Sequence, residues 1–307
     1  MMLQIRQLYK TYRKFVALDH IDLTVEEGDI FGFVGPNGAG KTTTMRILAT
    51  LMKPTGGEAF IDGISVTENP KAIRKIIGYM PDFFGVYDDL KVHEYLDFYS
   101  RAAGLSYQEG RKNSEELLEL VYLSDKKETY VDTLSRGMKQ RLCLARSLIG
   151  NPRLLILDEP ASGMDPRARI EMKMILKTLK EMKKTILISS HILPELAELC
   201  DTVGILERGR FQFVGSLAEI GEKMHGGRLI SIRCRSMAEE LVLFLREQPN
   251  VGNIDREENS LRVSFSGDEE ETQRLLYALV ERQFPVISFS LEQENLENVF
   301  LEVTKNA

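Results

Sequence analysis

Apolar and polar residues alternate from Leu3 to Leu8 and again from Ala17 to Val25, the period-two pattern of half-buried strands. Glu27-Gly28-Asp29 turns the chain into Ile30 to Val34, an uninterrupted apolar run that predicts a short strand buried on both faces. Thr43 to Met52 then reads as a helix. The turn cluster Lys53-Pro54-Thr55-Gly56-Gly57 precedes strands predicted at Glu58 to Ile61 and Ile76 to Met80, the second stopped by Pro81. From Val92 to Val131 the period lengthens: Tyr95, Phe98, Tyr99 and later Leu117, Leu118 and Val121 recur at three-to-four spacing, a helical insertion within an α/β pattern. A further helix opens at Ser135, with Met138, Leu142, Ala145 and Ile149 on one face. Leu154 to Leu157 follows as a buried strand running into Asp158-Glu159, and Thr185 to Ser189 as another ending at Ser190-His191. Thr202 to Leu206 and Phe211 to Val214 pair across Arg208-Gly209-Arg210.

Beyond residue 228 the order changes to strand (Leu229 to Cys234), helix (Met237 to Glu247), hairpin (Val251 to Phe265), helix (Glu269 to Arg282), strand (Pro285 to Leu291) and a last short helix, Leu296 to Val303. That order predicts a small βαββαβ α+β domain. With 307 residues and 43% hydrophobic content, two domains can each bury a core. The expected division is 1–220 and 228–307, with a helical subdomain at about 92–150 of the first.

Charge sharpens the division. The formal net charge of −6 is concentrated in Ser236 to Ala307, which holds 15 acidic against 6 basic side chains. Neither part carries the basic excess of a nucleic-acid groove, so no nucleic-acid partner is expected. Cys143, Cys200 and Cys234 are too scattered for a disulfide framework or a zinc site, which points to a reducing compartment. No basic-then-apolar secretory pattern opens the chain, and no apolar run approaches twenty residues. A role at a membrane would come through a partner.

Candidate chemistry centres on Gly35-Pro36-Asn37-Gly38-Ala39-Gly40-Lys41-Thr42, which fits G-x-x-x-x-G-K-[ST] at every fixed position between a predicted strand and a predicted helix. Glycines let successive backbone N–H groups turn toward an anion, the helix start adds partial positive charge, and Lys41 reaches the terminal phosphates. Thr42 offers a hydroxyl to Mg²⁺. Asp158 suits a Mg²⁺ partner and Glu159 the polarisation of an attacking water; without the phosphate loop, both would read as solvated strand-end acids. Ser135 is a natural helix cap. His191, alone, reads as structural, but it falls at the same sheet edge as Asp158 and Glu159. Tyr12, placed in the connection between the first two strands, reads on position alone as packing or as a ring that stacks on a base.

Together the phosphate loop, Leu134-Ser135-Arg136-Gly137-Met138-Lys139-Gln140-Arg141, Leu155-Ile156-Leu157-Asp158-Glu159-Pro160, Ser162-Gly163-Met164-Asp165 and His191 resemble the nucleotide-binding subunits of ATP-binding cassette (ABC) transporters, over roughly Met1 to Ile220. The resemblance implies a P-loop NTPase α/β fold with a RecA-like core, an antiparallel β subdomain and a helical subdomain. It also implies an ATPase: Tyr12 stacks on adenine, Gly35 to Thr43 hold the phosphates, Asp158 orders Mg²⁺, Glu159 is the base and His191 contacts the γ-phosphate. Ser135 and Gly137 would complete the site of an opposite protomer, with Asp165 near the seam, in a homodimer or a heterodimer with a related ATPase. Two positions depart from the family pattern. Asp82 stands where Gln is usual, leaving its contact with Mg²⁺ or water open, and Arg136 stands where Gly is common. The tail from Arg228 resembles the extra domain of ABC-2-type exporter subunits, whose relatives pump drugs, antibiotics or ions. Separate transmembrane permease subunits would hold such a chain on the cytoplasmic face of the membrane. The alternatives are a soluble ABC ATPase acting on ribosomes or nucleic acid, against which one phosphate loop and no sustained heptads count, and a nucleotide-binding regulator that does not hydrolyse, against which Glu159 and His191 count.

Overall fold

The continuous apolar runs become the middle of a six-stranded sheet in the computed structural model, which describes residues 1–83, 85, 89–192, 196, 198–216, 219, 228–235, 239–257 and 259–292. The chain divides into two compact units, Met1–Val214 and Gly215–Ala307.

In the first unit, β1 (Leu3–Tyr12), β2 (Phe15–Val25), β4 (Gly56–Ile61) and β5 (Ile64–Ser65) form a four-stranded antiparallel sheet in the order β2-β1-β4-β5. β1 runs four residues further than its alternation suggests and carries Tyr12 as its last residue, not in the connection. Register shifts between Ile5 and Leu8, Leu8 and Lys10, and Lys10 and Thr11 interrupt the period, and Gln7 takes a φ of 48° there. The second sheet has the order β10-β9-β3-β8-β7-β6, from β3 (Ile30–Val34), β6 (Ile77–Met80), β7 (Leu154–Leu157), β8 (Thr185–Ser190), β9 (Thr202–Glu207) and β10 (Arg210–Gly215). β6, β7, β8, β3 and β9 are parallel. Val34 is level with Ser190, Leu157 with Ile188, and Met80 with Leu157, so the C-terminal ends of β3, β8, β7 and β6 lie along one edge.

Between β3 and β4, α1 (Lys41–Leu48) starts two residues ahead of its apolar pattern because the loop itself supplies the first turn. Its Met45, Ile47 and Leu48 join Leu3, Ile5, Phe31, Phe33, Ile61 and Ile156 in one core. α2 (Pro70–Ile76), absent from the sequence expectation, is seven residues with Pro70 in its first turn, too short to show a period. α3 (Val92–Ala102), α4 (Tyr107–Leu120) and α5 (Arg136–Leu148) make the helical block, and α6 (Pro166–Glu181) lies between β7 and β8 in sequence. Tyr95, Leu96, Leu117 and Leu118 are buried in that block.

The second unit is β11 (Arg228–Cys234), α7 (Glu239–Arg246), β12 (Val251–Glu257), β13 (Ser260–Phe265), α8 (Glu269–Glu281) and β14 (Val286–Glu292), a βαββαβ order. Its sheet, β12-β13-β11-β14, is antiparallel throughout. Leu261, Val263 and Phe265 alternate inward and pack with Ile230, Ile232, Leu241, Leu245, Leu275 and Leu279. α8 is capped by Asp268, which accepts from the Glu271 N–H at 2.9 Å. The helix expected at Leu296 to Val303 lies outside the described residues, as do the first two residues of the helix expected from Met237.

Candidate functional site

Because β3, β6, β7 and β8 are parallel and end level, whatever follows each of them meets at one place. The phosphate loop follows β3, Asp158-Glu159 follows β7, His191 follows β8, and Pro81-Asp82 follows β6. The loop closes on itself through the Ala39 N–H to Pro36 O at 3.1 Å. Gly40 caps α1 at a φ of 115°, and a Cβ there would approach Ala17 O to 2.7 Å, so no side chain fits. A cleft of about 180 Å³ is lined by loop residues 36–43, Tyr12, Phe15, Asp82 and Glu159. The open aromatic wall is one residue wider than sequence reading foresaw. Phe15, the partner of Tyr12 across the hairpin, is exposed beside it; the only sequence signal for it is an apolar ring at a strand start.

Lys41 is 5% exposed and donates to Gly35 O at 2.6 Å and Pro36 O at 3.3 Å. Burial pulls its pKa below the ordinary lysine value, against the opposing pull of the Glu159 and Asp158 carboxylates. Glu159 reaches it with Oε1 at 3.6 Å, while Oε2 lies 2.9 Å from His191 Nδ1. The Glu159 backbone has a φ of 50°, a left-handed conformation costly for a non-glycine residue and held here by the contacts around it. Asp158 is buried. Its Oδ1 accepts from Ser189 Oγ at 2.7 Å and Thr42 Oγ1 at 3.2 Å, and its Oδ2 is buried with no hydrogen-bond partner. Burial raises the Asp158 pKa, with the Ser189 and Thr42 hydrogen bonds pulling the other way. Tyr12 donates to Met52 Sδ, and the Lys10 ammonium lies 5.3 Å from its ring centroid.

This donor set fits a hard divalent cation. An unpartnered buried carboxylate oxygen and a hydroxyl lie beside a phosphate loop, and Mg²⁺ takes one or two protein ligands together with phosphate oxygens and water. Among the described residues no group of three or more His, Cys, Asp or Glu is gathered as an all-protein cage.

Ser135, Gly137 and Asp165 do not line that cleft. Ser135 caps α5, accepting from the Met138 N–H at 3.3 Å, and Asp165 caps α6, accepting from the Ala168 N–H at 2.9 Å. A Cβ on Gly137 would come within 2.7 Å of Ala168 Cβ, so this glycine also permits α5 to pack on α6. Gln140 Nε2 donates to Ser162 O at 2.9 Å, tying the same helix to the turn that precedes Asp165.

Residues 18–162 match the family profile described as ABC transporter, and residues 215–304 that of the ATP-binding protein DrrA1-3-like, C-terminal domain. Along nearly its whole length the chain is similar to two curated proteins. One is the linearmycin resistance ATP-binding protein LnrL of Bacillus subtilis (strain 168), 30% identical, covering 99% of this chain and 98% of LnrL. The other is the daunorubicin/doxorubicin resistance ATP-binding protein DrrA of Streptomyces peucetius, 34% identical, covering 97% and 90%. Among solved structures, the ATP-binding cassette MJ0796, dimeric and in a post-hydrolysis state with ADP and Pi, aligns with a TM-score of 0.65 at 27% identity, over 70% of this chain and 99% of that one.

Proposed function

This chain belongs to the ATP-binding subunits of ABC transporters of the exporter type, an ATPase family, and on that premise we propose that it converts ATP binding and hydrolysis into the closing and opening of a dimer. The observation that carries the reading is the Glu159 carboxylate set between Lys41 and His191 at the edge where four parallel strands end.

Phosphate oxygens are received by the backbone N–H groups of residues 35–43 and by Lys41, which exchanges its carbonyl partners Gly35 and Pro36 for phosphate. Tyr12 stacks on the adenine. Thr42 Oγ1 and Asp158 would hold Mg²⁺, which supplies charge neutralisation at the β- and γ-phosphate oxygens when bound. Glu159 accepts a hydrogen bond from the attacking water and orients it in line with the γ-phosphate. His191, at 48% exposure, fixes the second Glu159 oxygen, and it contacts the same phosphate. Asp82 faces the cleft as a shorter, charged replacement for the usual glutamine. Ser135 and Gly137, outside this cleft, serve the site of an opposite protomer, with Asp165 beside the seam, and that protomer is a second copy or a related ATPase.

Among the described residues no helix is long and apolar enough to cross a membrane, so a substrate path belongs to transmembrane permease subunits, which hold this chain at the cytoplasmic face of the membrane. Residues 1–220 act as the cassette and 228–307 as an accessory domain. Loss of the γ-phosphate removes the preference for the closed dimer, and the permease reads that change as alternating access.

Replacement of Lys41 by Ala tests the premise of this scheme. It removes the compact positive charge from the loop, and the expected result in equilibrium titration with MgATP is loss of measurable binding while the thermal transition is kept. Unchanged affinity in a folded Lys41→Ala protein would show that the loop does not hold phosphate.

A further inference from the structure

We propose that Ser189 is a positioning residue for the divalent cation: its hydroxyl ties up one oxygen of Asp158 so that the other is presented to the metal. The inference rests on Asp158 as the Mg²⁺ partner and goes beyond it.

Ser189 is fully buried in β8, one strand away from the carboxylates it serves. Its O–H donates to Asp158 Oδ1 at 2.7 Å, and its oxygen accepts from the Glu159 N–H at 2.9 Å. Donor and acceptor are both spent across the sheet, on two consecutive residues of the neighbouring segment, and not on the serine's own strand. Asp158 Oδ1 also accepts from Thr42, so two donors converge on one oxygen while Oδ2 is left buried without any. A carboxylate swings easily about its terminal torsion, and both oxygens accept equally well. Without Ser189 only the longer bond from Thr42 would hold the carboxylate plane, and the direction in which its free oxygen points would be less fixed. The second bond acts at Glu159, whose backbone N–H it holds in the left-handed conformation that the side chain needs to meet Lys41 and His191. One hydroxyl thereby registers both acidic side chains.

A buried serine that merely satisfied its own hydroxyl would affect stability alone. A positioning serine changes metal dependence. The full chain is titrated with a fluorescent ATP analogue, in EDTA and across a Mn²⁺ series, for wild type, Ser189→Ala, Ser189→Thr and Asp158→Asn. The expected result for Ser189→Ala is an unchanged affinity in EDTA, within about twofold, with the half-saturating Mn²⁺ concentration raised about tenfold, the lower end of what loss of a ligand's hydrogen-bond support costs elsewhere. Ser189→Thr, which keeps the hydroxyl, returns most of the metal affinity. If Ser189→Ala fails to fold, Ser189→Cys, which keeps the size and weakens the donor, carries the same expectation in smaller measure. Wild-type Mn²⁺ dependence in a folded Ser189→Ala or Ser189→Cys protein, or an equal loss of affinity with and without metal, overturns the inference. Asp158→Asn separates the two layers. If it abolishes metal dependence while Ser189→Ala is silent, only the role of Ser189 falls; if it leaves metal dependence intact, the reading of Asp158 falls as well.

Discussion

Residues 1–214 and residues 215–307 each combine a sheet with helices, yet their polar side chains are distributed differently. The first unit buries Lys41, Asp158, Ser189 and Ser190 at or beside strand ends, and leaves Asp158 Oδ2 without a partner. In the second, the buried polar side chain among the described residues is Thr272, whose hydroxyl donates to Asp268 O at 2.7 Å at the start of α8. Sheet direction accounts for the contrast. Parallel strands deliver their C-terminal ends, and the residues after them, to one edge, so a loop, an acid pair and a histidine far apart in sequence converge. Antiparallel strands send alternate ends to opposite edges, and among the described residues β11, β12, β13 and β14 gather no such group. An incompletely satisfied, strained edge is costly to fold and is the kind of place where ligand handling concentrates; among the described residues of the second unit no buried side-chain nitrogen or oxygen is left without a partner.

The contrast is sharpened most by Ile232→Asp, which buries a carboxylate in the core of the second unit. Such a change costs at least about 3 kcal/mol. The expected outcome is loss of that unit's thermal transition with ATP affinity in the rest of the chain kept within a few-fold. Collapse of nucleotide binding along with it would break the division into two units.

Smaller in effect is Tyr12→Ala. Removal of a stacking ring costs about 1–3 kcal/mol, or about 5- to 150-fold in ATP affinity by equilibrium titration, whereas Tyr12→Phe keeps the ring and loses only the bond to Met52. If both variants bind like wild type, the ring is packing.

The smallest effect is expected from Asp158→Asn on the nucleotide-free protein. Burial raises the Asp158 pKa above its unfolded value, so ionisation opposes folding. The associated stability is full below the unfolded carboxylate pKa and is lost as pH rises through the raised folded one. The amide escapes that loss. Its melting temperature should exceed that of wild type at neutral pH, and the gap should close toward pH ~4. A variant less stable than wild type at neutral pH would mean that the charge contributes net stability.

Much of this was legible in sequence for a physical reason. A phosphate loop needs fixed glycines, and β3 and β7, buried on both faces, need apolar runs, while β8 keeps only Ile186 to Ile188 apolar between buried Thr185 and Ser189. The end of β1 was not legible, since its register shifts break the alternation just where Tyr12 is placed. Ser189 was not either: nothing local marks a strand-end serine whose bonds cross to the next strand, because the parallel register that aligns them is a tertiary fact. Gly137 carries a further lesson. Its approach to Ala168 supplies an internal reason for glycine, beside the phosphate approach that the family resemblance suggests.

Steady-state hydrolysis and gel filtration of Glu159→Gln with ATP present separate an ATP-driven switch from a passive binder. Glutamine keeps the size of the side chain and loses the charge and basicity that orient water. Turnover should fall by at least about 10², ATP affinity should stay within a few-fold, and the variant should elute as an ATP-bound dimer. A Glu159→Gln protein that hydrolyses ATP at the wild-type rate and elutes as a monomer would contradict the switch.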